Sequence, residues 1–389
     1  MTRQISKITL LFLFAFNVFC WAQQSVITVP GYLKMSADEA TSIKILTALD
    51  GFYTEISEGR VDNQYLNDEH RALTVANLYR FYDYEAGKDS IAKTINDKTL
   101  VNFYTLEDHK YSLTISFIKP TRAGDTALYY LLELIATVKE DGVVFSLPLA
   151  TATADWQQKM IGKTTYVYRN EIVGERAELF DAKNEKIAAF YDQSAQPLTV
   201  FMCANYNEIS DLLGLKYDVY ANGNFRDGYG VVGNTIFSVM NNEDFSHDIV
   251  HFYSEITYEW ASRNRTVEEG FAYFLGNGYY TNSEGEMVEY NEMKMALGKY
   301  LSENPNTAVL SLLKEDPRIL SNLAPEISTK SAIIAVILEQ IMNTAGKEGV
   351  KTLLTSGREN QLDTFLLLLE SDFGWNKENF NQKFTASLK

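Results

Sequence analysis

The chain has 389 residues, and its 51 Asp and Glu outnumber its 35 Lys and Arg to give a formal net charge of −16. With 46% hydrophobic residues and no run of Lys or Arg, the composition is typical of a globular protein of two or three domains. An acidic surface repels phosphate backbones and anionic lipid headgroups, so we expect neither nucleic acid nor a membrane surface as a partner.

The first 22 residues have the pattern of a secretory signal peptide. Arg3 and Lys7 precede an apolar run from Ile8 to Ala22, and Gln23 follows it. The run is too short for a comfortable membrane span, and no later stretch reaches the roughly 20 apolar residues that a spanning helix needs. We therefore expect cleavage after Ala22, export to the periplasm or the extracellular space, and a mature chain without a membrane span.

The predicted cleavage separates the two cysteines of the chain. Cys20 leaves with the signal peptide, so only Cys203 remains and no disulfide can form within the mature chain. A lipid anchor on Cys20 is the weaker alternative, because the bulky Phe19 precedes the cysteine. Cys203 ends an apolar run that begins at Pro197, and we interpret it as a buried structural thiol rather than a reactive one.

Residues 30–150 have the pattern of an α+β module. Apolar residues recur at helical spacing from Ala37 to Ser57, which predicts an amphipathic helix. From Lys110 to Lys119 apolar side chains alternate with Ser and Thr, which predicts a half-buried strand. The apolar runs 128–138 and 143–149 predict a β-hairpin. One or two helices followed by a curved antiparallel sheet resemble the cone-shaped domain of nuclear transport factor two.

Strands and helices alternate after a predicted linker at residues 151–154. The predicted elements are a strand over 164–169, a helix over 175–192, a strand over 198–202, a short helix over 207–213 and a strand over 235–240. A glycine-rich loop precedes the last of these strands, and residues 244–389 are almost entirely helical in pattern. We therefore predict an α+β fold whose second domain, residues 155–389, has a small sheet and a mostly helical C-terminal part.

Two of the four histidines stand one helical turn apart in the segment Ser246-His-Asp-Ile-Val-His251. Residues four apart share one face of a helix. His247 and His251 can therefore direct ring nitrogens at a common point about 2.0–2.1 Å away, as a tetrahedral Zn²⁺ requires. The alternative is a pair of ordinary surface or core histidines. The other two, His70 and His109, have charged neighbours, and we expect them to be solvated.

A second helical segment, Thr266-Val-Glu-Glu-Gly-Phe-Ala-Tyr273, places Glu269 18 positions after His251. Together the two segments resemble the gluzincin metallopeptidases, and more closely the peptidase-MA-like domains akin to aminopeptidase N. The family pattern is His-Glu-x-x-His, a gap of helix length, and Glu-Gly-Phe-Ala or similar. The resemblance implies that His247, His251 and Glu269 bind zinc and leave a fourth position open for water. The alternative for Glu269 is a capping box with Thr266.

Three departures from the family pattern concern catalysis. Asp248 stands where the family has the glutamate that accepts a proton from the attacking water, and its shorter side chain displaces the carboxylate by roughly an ångström. Residues 328–335, where many members supply a tyrosine for the oxyanion, contain none. Tyr279, Tyr280 and Tyr290 are nearer in sequence, but the pattern assigns this role to none of them. The Gly-x-Met-Glu-Asn segment with which aminopeptidases hold a free N-terminus is also missing.

These features predict a secreted zinc-dependent peptidase with Asp248 as its base, acting on peptides or proteins as an endopeptidase rather than an aminopeptidase. We expect the strand over 235–240 where the family's edge strand pairs with the substrate backbone. The alternative is a zincin-like binding protein of the cell envelope that has lost efficient catalysis. The sequence contains no indication of the oligomeric state.

Overall fold

The computed structural model describes residues 26–86, 97–120, 124–219, 230–239 and 242–389. The fold is mixed α+β, as predicted, and the described residues form twelve helices and ten strands in two sheets. They divide into two compact units, the first with residues 26–152 and 210–219 and the second with residues 153–209, 230–239 and 242–389. The predicted signal peptide, residues 1–22, lies outside the described residues.

In chain order the elements are α1 (Glu39–Ser57), α2 (Arg71–Ala86), β1 (Asp97–Glu107), β2 (Lys110–Pro120), β3 (Thr126–Val138), β4 (Val143–Ser146), α3 (Leu149–Ala152), β5 (Gln157–Ile161), β6 (Thr164–Tyr168), α4 (Gly174–Phe190), β7 (Leu198–Met202), α5 (Tyr206–Leu212), β8 (Leu215–Asp218), β9 (Gly230–Val232), β10 (Thr235–Ser238), α6 (Ser246–Thr257), α7 (Arg265–Leu275), α8 (Tyr290–Glu303), α9 (Val309–Glu315), α10 (Thr329–Leu354), α11 (Gln361–Phe373) and α12 (Phe380–Ser387).

The first unit is built on an antiparallel sheet in the order β1-β2-β3-β4, and β8 also pairs with β3. The pairing of β1 with β2 shifts register twice, and such bulges bend and twist the strands. Helix α1 packs its apolar face on this sheet, where the rings of Phe52 and Phe145 lie 5.1 Å apart. The likeness to the cone-shaped domain stays a prediction.

Strand β2 is buried on both faces, so the prediction of a half-buried strand is wrong. Ser112, Thr114 and Ser116 are as inaccessible as the apolar residues between them. Ser112 donates a hydrogen bond to the buried carboxylate of Glu133 on β3, and Lys216 on β8 lies 3.0 Å from the same carboxylate. Hydrogen bonds within the unit thus replace hydrogen bonds to water for part of this polar face. The alternation of apolar and polar residues in the sequence does not distinguish a buried polar face from an exposed one.

The second unit contains the sheet β5-β6-β7-β10-β9. Strands β6, β7 and β10 are parallel, and the two end strands, β5 and β9, are antiparallel to their neighbours. Strand β10 is therefore an inner strand, and the prediction that residues 235–240 form the edge is wrong. Among the described residues that edge is β9, which reverses into β10 through Gly233 and Asn234. Gly233 has the positive φ of 60° that such a two-residue turn requires.

Helix α10 is the centre of the helical part of the second unit. All its residues from Ala332 to Leu338 are buried, as expected for a helix surrounded by others. Helix α7 packs closely against it at Gly270, where an added Cβ would lie 2.3 Å from Cγ2 of Ile334. No helix in the described part of the chain is both long and apolar enough to cross a bilayer.

Candidate metal centre

Helix α6 presents His247 and His251 on consecutive turns, as the spacing predicts. The chain enters the helix through Asp244, whose Oδ1 accepts a hydrogen bond of 3.0 Å from the N–H of Ser246. The other oxygen of Asp244 lies 2.6 Å from the ammonium group of Lys183 on α4. Because Asp244 is buried and held by two partners, the first turn of α6 is anchored beside His247.

The side chains of His247, His251 and Glu269 converge on one point. The two Nε2 atoms are 3.2 Å apart. One carboxylate oxygen of Glu269 lies 3.4 Å from Nε2 of His247, and the other lies 3.4 Å from Nε2 of His251. Two ligands at about 2.0–2.1 Å from a tetrahedral zinc ion are separated by roughly 3.3 Å, so these spacings fit such an ion. The three residues could hold a metal ion.

Both imidazoles use Nδ1 for contacts within the protein, which leaves both Nε2 atoms available. Nδ1 of His247 lies 3.1 Å from the backbone carbonyl oxygen of Asn277. Since a carbonyl oxygen only accepts, this ring nitrogen donates its proton. Nδ1 of His251 lies 2.6 Å from Oε1 of Glu268 and donates to that carboxylate. Such second partners fix the tautomer and the orientation of metal-binding histidines.

Glu268 is fully buried at the centre of a charged network. Its carboxylate accepts hydrogen bonds from Ser254 at 2.6 Å, from Arg263 at 2.8 Å and 3.0 Å, and from Arg265 at 2.6 Å, besides the one from His251. Burial opposes ionisation, but the hydrogen bonds from His251 and Arg263 outweigh it and lower the pKa of Glu268 to about 2. The group is therefore a carboxylate at neutral pH.

The two carboxylates create a negative field at the histidines. Burial alone would lower the pKa of His251, but the hydrogen bonds to Glu268 and Glu269 raise it to about 9. Burial likewise opposes ionisation of Glu269, yet the contacts with His247 and His251 hold its pKa well below the usual range. A field that retains a proton on a buried imidazole also favours a metal cation at the same point.

Helix α7 begins two residues earlier than the capping-box alternative requires. Its N-cap is Asn264, whose side chain accepts a hydrogen bond of 3.1 Å from the N–H of Val267. The N–H of Thr266 instead donates to the side chain of Gln361. Glu269 is thus not part of a capping box with Thr266, and its carboxylate faces the histidines.

Comparisons with family models, curated proteins and solved structures give no match for this chain. The resemblance to gluzincin peptidases therefore depends on the residues of α6 and α7 alone. What those residues show directly is a histidine, histidine and glutamate group that could bind a metal ion.

Asp248 follows the first histidine and is partly buried. Its Oδ2 atom is inaccessible to solvent and has no hydrogen-bond partner among the residues that the structure describes. Burial raises the pKa of this carboxyl group, while the nearby His247 and His251 act in the opposite direction. An unpartnered buried oxygen is costly for a carboxylate, so Asp248 binds a proton more readily than an exposed aspartate does.

The tyrosines near the centre differ in what they contact. The ring of Tyr279 lies 5.4 Å from the ring of His247, and its backbone φ is 68°, which is unusual for a bulky residue. The ring of Tyr273 lies 5.7 Å from His247, and its hydroxyl accepts a hydrogen bond from the N–H of Ser328. Tyr290 instead donates to Glu339, and Tyr280 packs edge-on against Tyr279. Tyr279 is the tyrosine in closest ring contact with a ligand.

The remaining candidates of the sequence lie apart from this group. Neither His70 nor His109 belongs to the group that could hold a metal ion, and both have positive φ angles in turns. Cys203 is buried, and burial raises the pKa of its thiol, as expected for a structural cysteine.

Sequence reasoning missed the residues that hold the ligands. Glu268 was visible only as the first of two adjacent acids, and nothing in its spacing distinguishes it from a surface residue. Arg263 and Asn277 lie outside the two segments that carry the resemblance. They are found only when α6 and α7 are packed together.

Proposed function

We propose that this protein is a zinc-dependent peptidase that hydrolyses peptide bonds in peptides or proteins, as an endopeptidase rather than an aminopeptidase. One observation carries the proposal. Two imidazole Nε2 atoms and the carboxylate of Glu269 lie 3.2 Å and 3.4 Å from one another, with both Nδ1 atoms occupied elsewhere.

The donor set supports zinc over other common cations. Two imidazoles and one carboxylate suit a borderline-soft ion, whereas Mg²⁺ and Ca²⁺ prefer sites made of oxygen atoms. Three protein ligands leave a fourth position, as in catalytic rather than structural zinc sites. The side chain of Glu269 is 39% exposed, so solvent reaches the site beside this residue.

A zinc ion in such a site polarises a carbonyl group and lowers the pKa of water. The residues of the chain supply the rest of the chemistry. His247, His251 and Glu269 hold the ion, and Glu268 and Asn277 orient the two imidazoles. Asp248 accepts the proton of the attacking water and passes it to the leaving amine, a role for which its raised pKa is suited.

Metal content of the purified protein tests the ligand set. We expect about one zinc per chain in the wild type and none in His247→Ala, because losing one of three protein ligands leaves an incomplete site. The control is His109→Asn, since His109 lies outside the group and Asn tolerates its left-handed backbone. Equal zinc in all three proteins, or none in the wild type, would overturn the proposal.

Asp248 separates a peptidase from a binding protein built on the same site. Asp248→Asn should abolish hydrolysis of an unfolded protein substrate while the zinc content stays unchanged, because an amide cannot accept the proton. Asp248→Glu should keep or raise the activity, since the longer side chain restores the carboxylate to the family's usual position. If Asp248→Asn hydrolyses the substrate as fast as the wild type does, Asp248 is not the base. If neither protein hydrolyses it with zinc bound, the zincin-like binding protein is the better description.

We also propose that the chain is exported through residues 1–22, on the basis of their sequence pattern. N-terminal sequencing of the protein recovered from outside the cytoplasm should begin at Gln23. A protein that retains its first residues and fractionates with the cytoplasm would contradict this.

A further inference from the structure

We propose that Asn277 is a positioning residue that fixes both the tautomer and the location of His247. The role rests on the proposed metal site, because an imidazole can bind a metal through Nε2 only when its proton is on Nδ1. This role of Asn277 is separate from that of Glu268, which accepts the hydrogen bond from Nδ1 of His251.

Asn277 lies in the loop that follows α7, and its side chain joins this loop to the start of α6. The residue is fully buried. Its Nδ2 donates to the hydroxyl oxygen of Ser246 at 3.1 Å and to the carbonyl oxygen of Asp244 at 3.3 Å. Its Oδ1 accepts the N–H of Tyr279 at 2.9 Å. The side-chain amide therefore both donates and accepts hydrogen bonds, and each bond stabilises the loop or the first turn of α6.

The preceding glycine allows this close approach. A Cβ added to Gly276 would lie 2.8 Å from the backbone nitrogen of His247, 2.8 Å from the carbonyl carbon of Ser246 and 2.7 Å from the carbonyl oxygen of Ala272. All three are backbone atoms, which cannot turn aside as a flexible side chain does. Only glycine lets the loop lie against the first turn of α6.

The result of these contacts is the position of one carbonyl group. With the loop held by the Asn277 side chain, the backbone oxygen of the same residue reaches Nδ1 of His247 at 3.1 Å. This bond requires the proton on Nδ1 and directs Nε2 towards the Nε2 of His251 and the carboxylate of Glu269. The side chain acts on the imidazole through its own backbone, so a substitution at 277 should change His247 and leave His251 in place.

The tautomer can be measured without any metal. The chain has four histidines, so a metal-free sample labelled with ¹⁵N-histidine gives few imidazole signals, which His247→Gln and His251→Gln assign. We expect His247 to carry its proton on Nδ1 in the wild type and to become a mixture of tautomers in Asn277→Ala. The signals of His251 should stay unchanged. His247 protonated only on Nε2 in the wild type, or an unaltered His247 in Asn277→Ala, would overturn the proposal.

Zinc affinity, measured by competition with a chromophoric chelator, is the second readout. Asn277→Ala should weaken zinc binding by about 10- to 100-fold, as the loss of outer-shell partners typically does. The matched control is Asn184→Ala, which removes another fully buried asparagine with hydrogen bonds to Gln196 and Tyr253 but none to either histidine. It should lower the melting temperature and leave zinc affinity within about twofold of the wild-type value.

Two outcomes distinguish this proposal from the proposed function. If the wild type binds no zinc, the metal site fails while the tautomer measurement still decides the role of Asn277. If the wild type binds zinc and Asn277→Ala binds it equally well, the positioning role fails alone. Should Asn277→Ala not fold, Asn277→Ser carries the same test, because its hydroxyl can restore one of the two donated bonds.

Discussion

Adjacent residues of the same type have different roles at this centre. Glu268 is fully buried and bonded to two arginines, a serine and a histidine, whereas Glu269 is partly exposed and faces two Nε2 atoms. On a helix, neighbouring residues point about 100° apart, which sends the two carboxylates to different partners. The first carboxylate supports the protein and one of the proposed ligands, and the second is itself a proposed ligand.

Replacing each glutamate by glutamine should separate these roles. Glu268→Gln leaves the buried Arg263 without its counter-ion, so we expect the free energy of unfolding to fall by about 3–5 kcal/mol in the metal-free protein. Glu269→Gln should cost the metal-free protein less than Glu268→Gln, because its side chain is partly exposed, and should abolish tight zinc binding, because a neutral amide is a poor ligand. Urea unfolding and zinc titration of both variants check this. Equal loss of stability in the two would contradict the assignment.

Residue spacing predicts the ligands but not their partners. His247 and His251 are four apart on one helix, and the segment around Glu269 carries a recognisable pattern, so three ligand positions follow from sequence. Nδ1 of His247 is held by a residue 30 positions away and Nδ1 of His251 by one 17 positions away. Such contacts depend on how α6 and α7 pack, and local sequence carries no signal for them.

At the scale of elements, the sequence predicts helices and strands with regularly spaced apolar residues well. It does not predict elements that are mostly exposed or that lack a clear apolar face. Helix α1 spans Glu39–Ser57 against a prediction of 37–57, and β7 has the predicted bounds. Strand β5 was missed because four of its five residues are exposed, so no alternation of burial marks it. Helix α2 was missed because aromatic and polar residues alternate within it without a clear apolar face.

The close contact of α7 with α10 predicts that two helical glycines respond differently to replacement by alanine. Alanine favours a helix over glycine by about 1 kcal/mol. At Gly298 on α8 an added Cβ meets nothing within 4 Å, so Gly298→Ala should stabilise the protein by roughly 0.5–1 kcal/mol. At Gly270 the Cβ would collide with Ile334, so Gly270→Ala should destabilise it by about 1–3 kcal/mol. Thermal melts of both variants test this prediction. A similar gain in melting temperature for the two would show that α7 and α10 are farther apart than in the structure.

At the scale of the whole molecule, the metal centre belongs entirely to the second unit. All three ligands and the residues that orient them lie between 244 and 277. The second unit also holds three of the four tryptophans, Trp156, Trp260 and Trp375, and Trp21 lies in the predicted signal peptide. Tryptophan fluorescence of the mature chain therefore reports on the unit that contains the candidate metal centre.

Removal of the metal should be visible in that signal. A ligand at 1,000 times its Kd adds about 4 kcal/mol to the free energy of unfolding. For a unit of this size that corresponds to a fall in the melting temperature of about 10 °C on chelation. Added Zn²⁺ should reverse the fall and Mg²⁺ should not. His247→Ala should melt at the chelated temperature throughout, and an unchanged melting curve after chelation of the wild type would contradict the site.

The partners of Nδ1 in both histidines have a consequence for the order of assembly. The hydrogen bonds that the two imidazoles donate to Asn277 and Glu268 need no ion, so the proposed ligands are arranged before one arrives, and little ordering remains to oppose its entry. Metal acquisition would then follow folding rather than drive it. If the chain is exported unfolded, as we propose, the ion comes from the pool of the receiving compartment, and the supply of zinc there determines how much of the protein holds a metal.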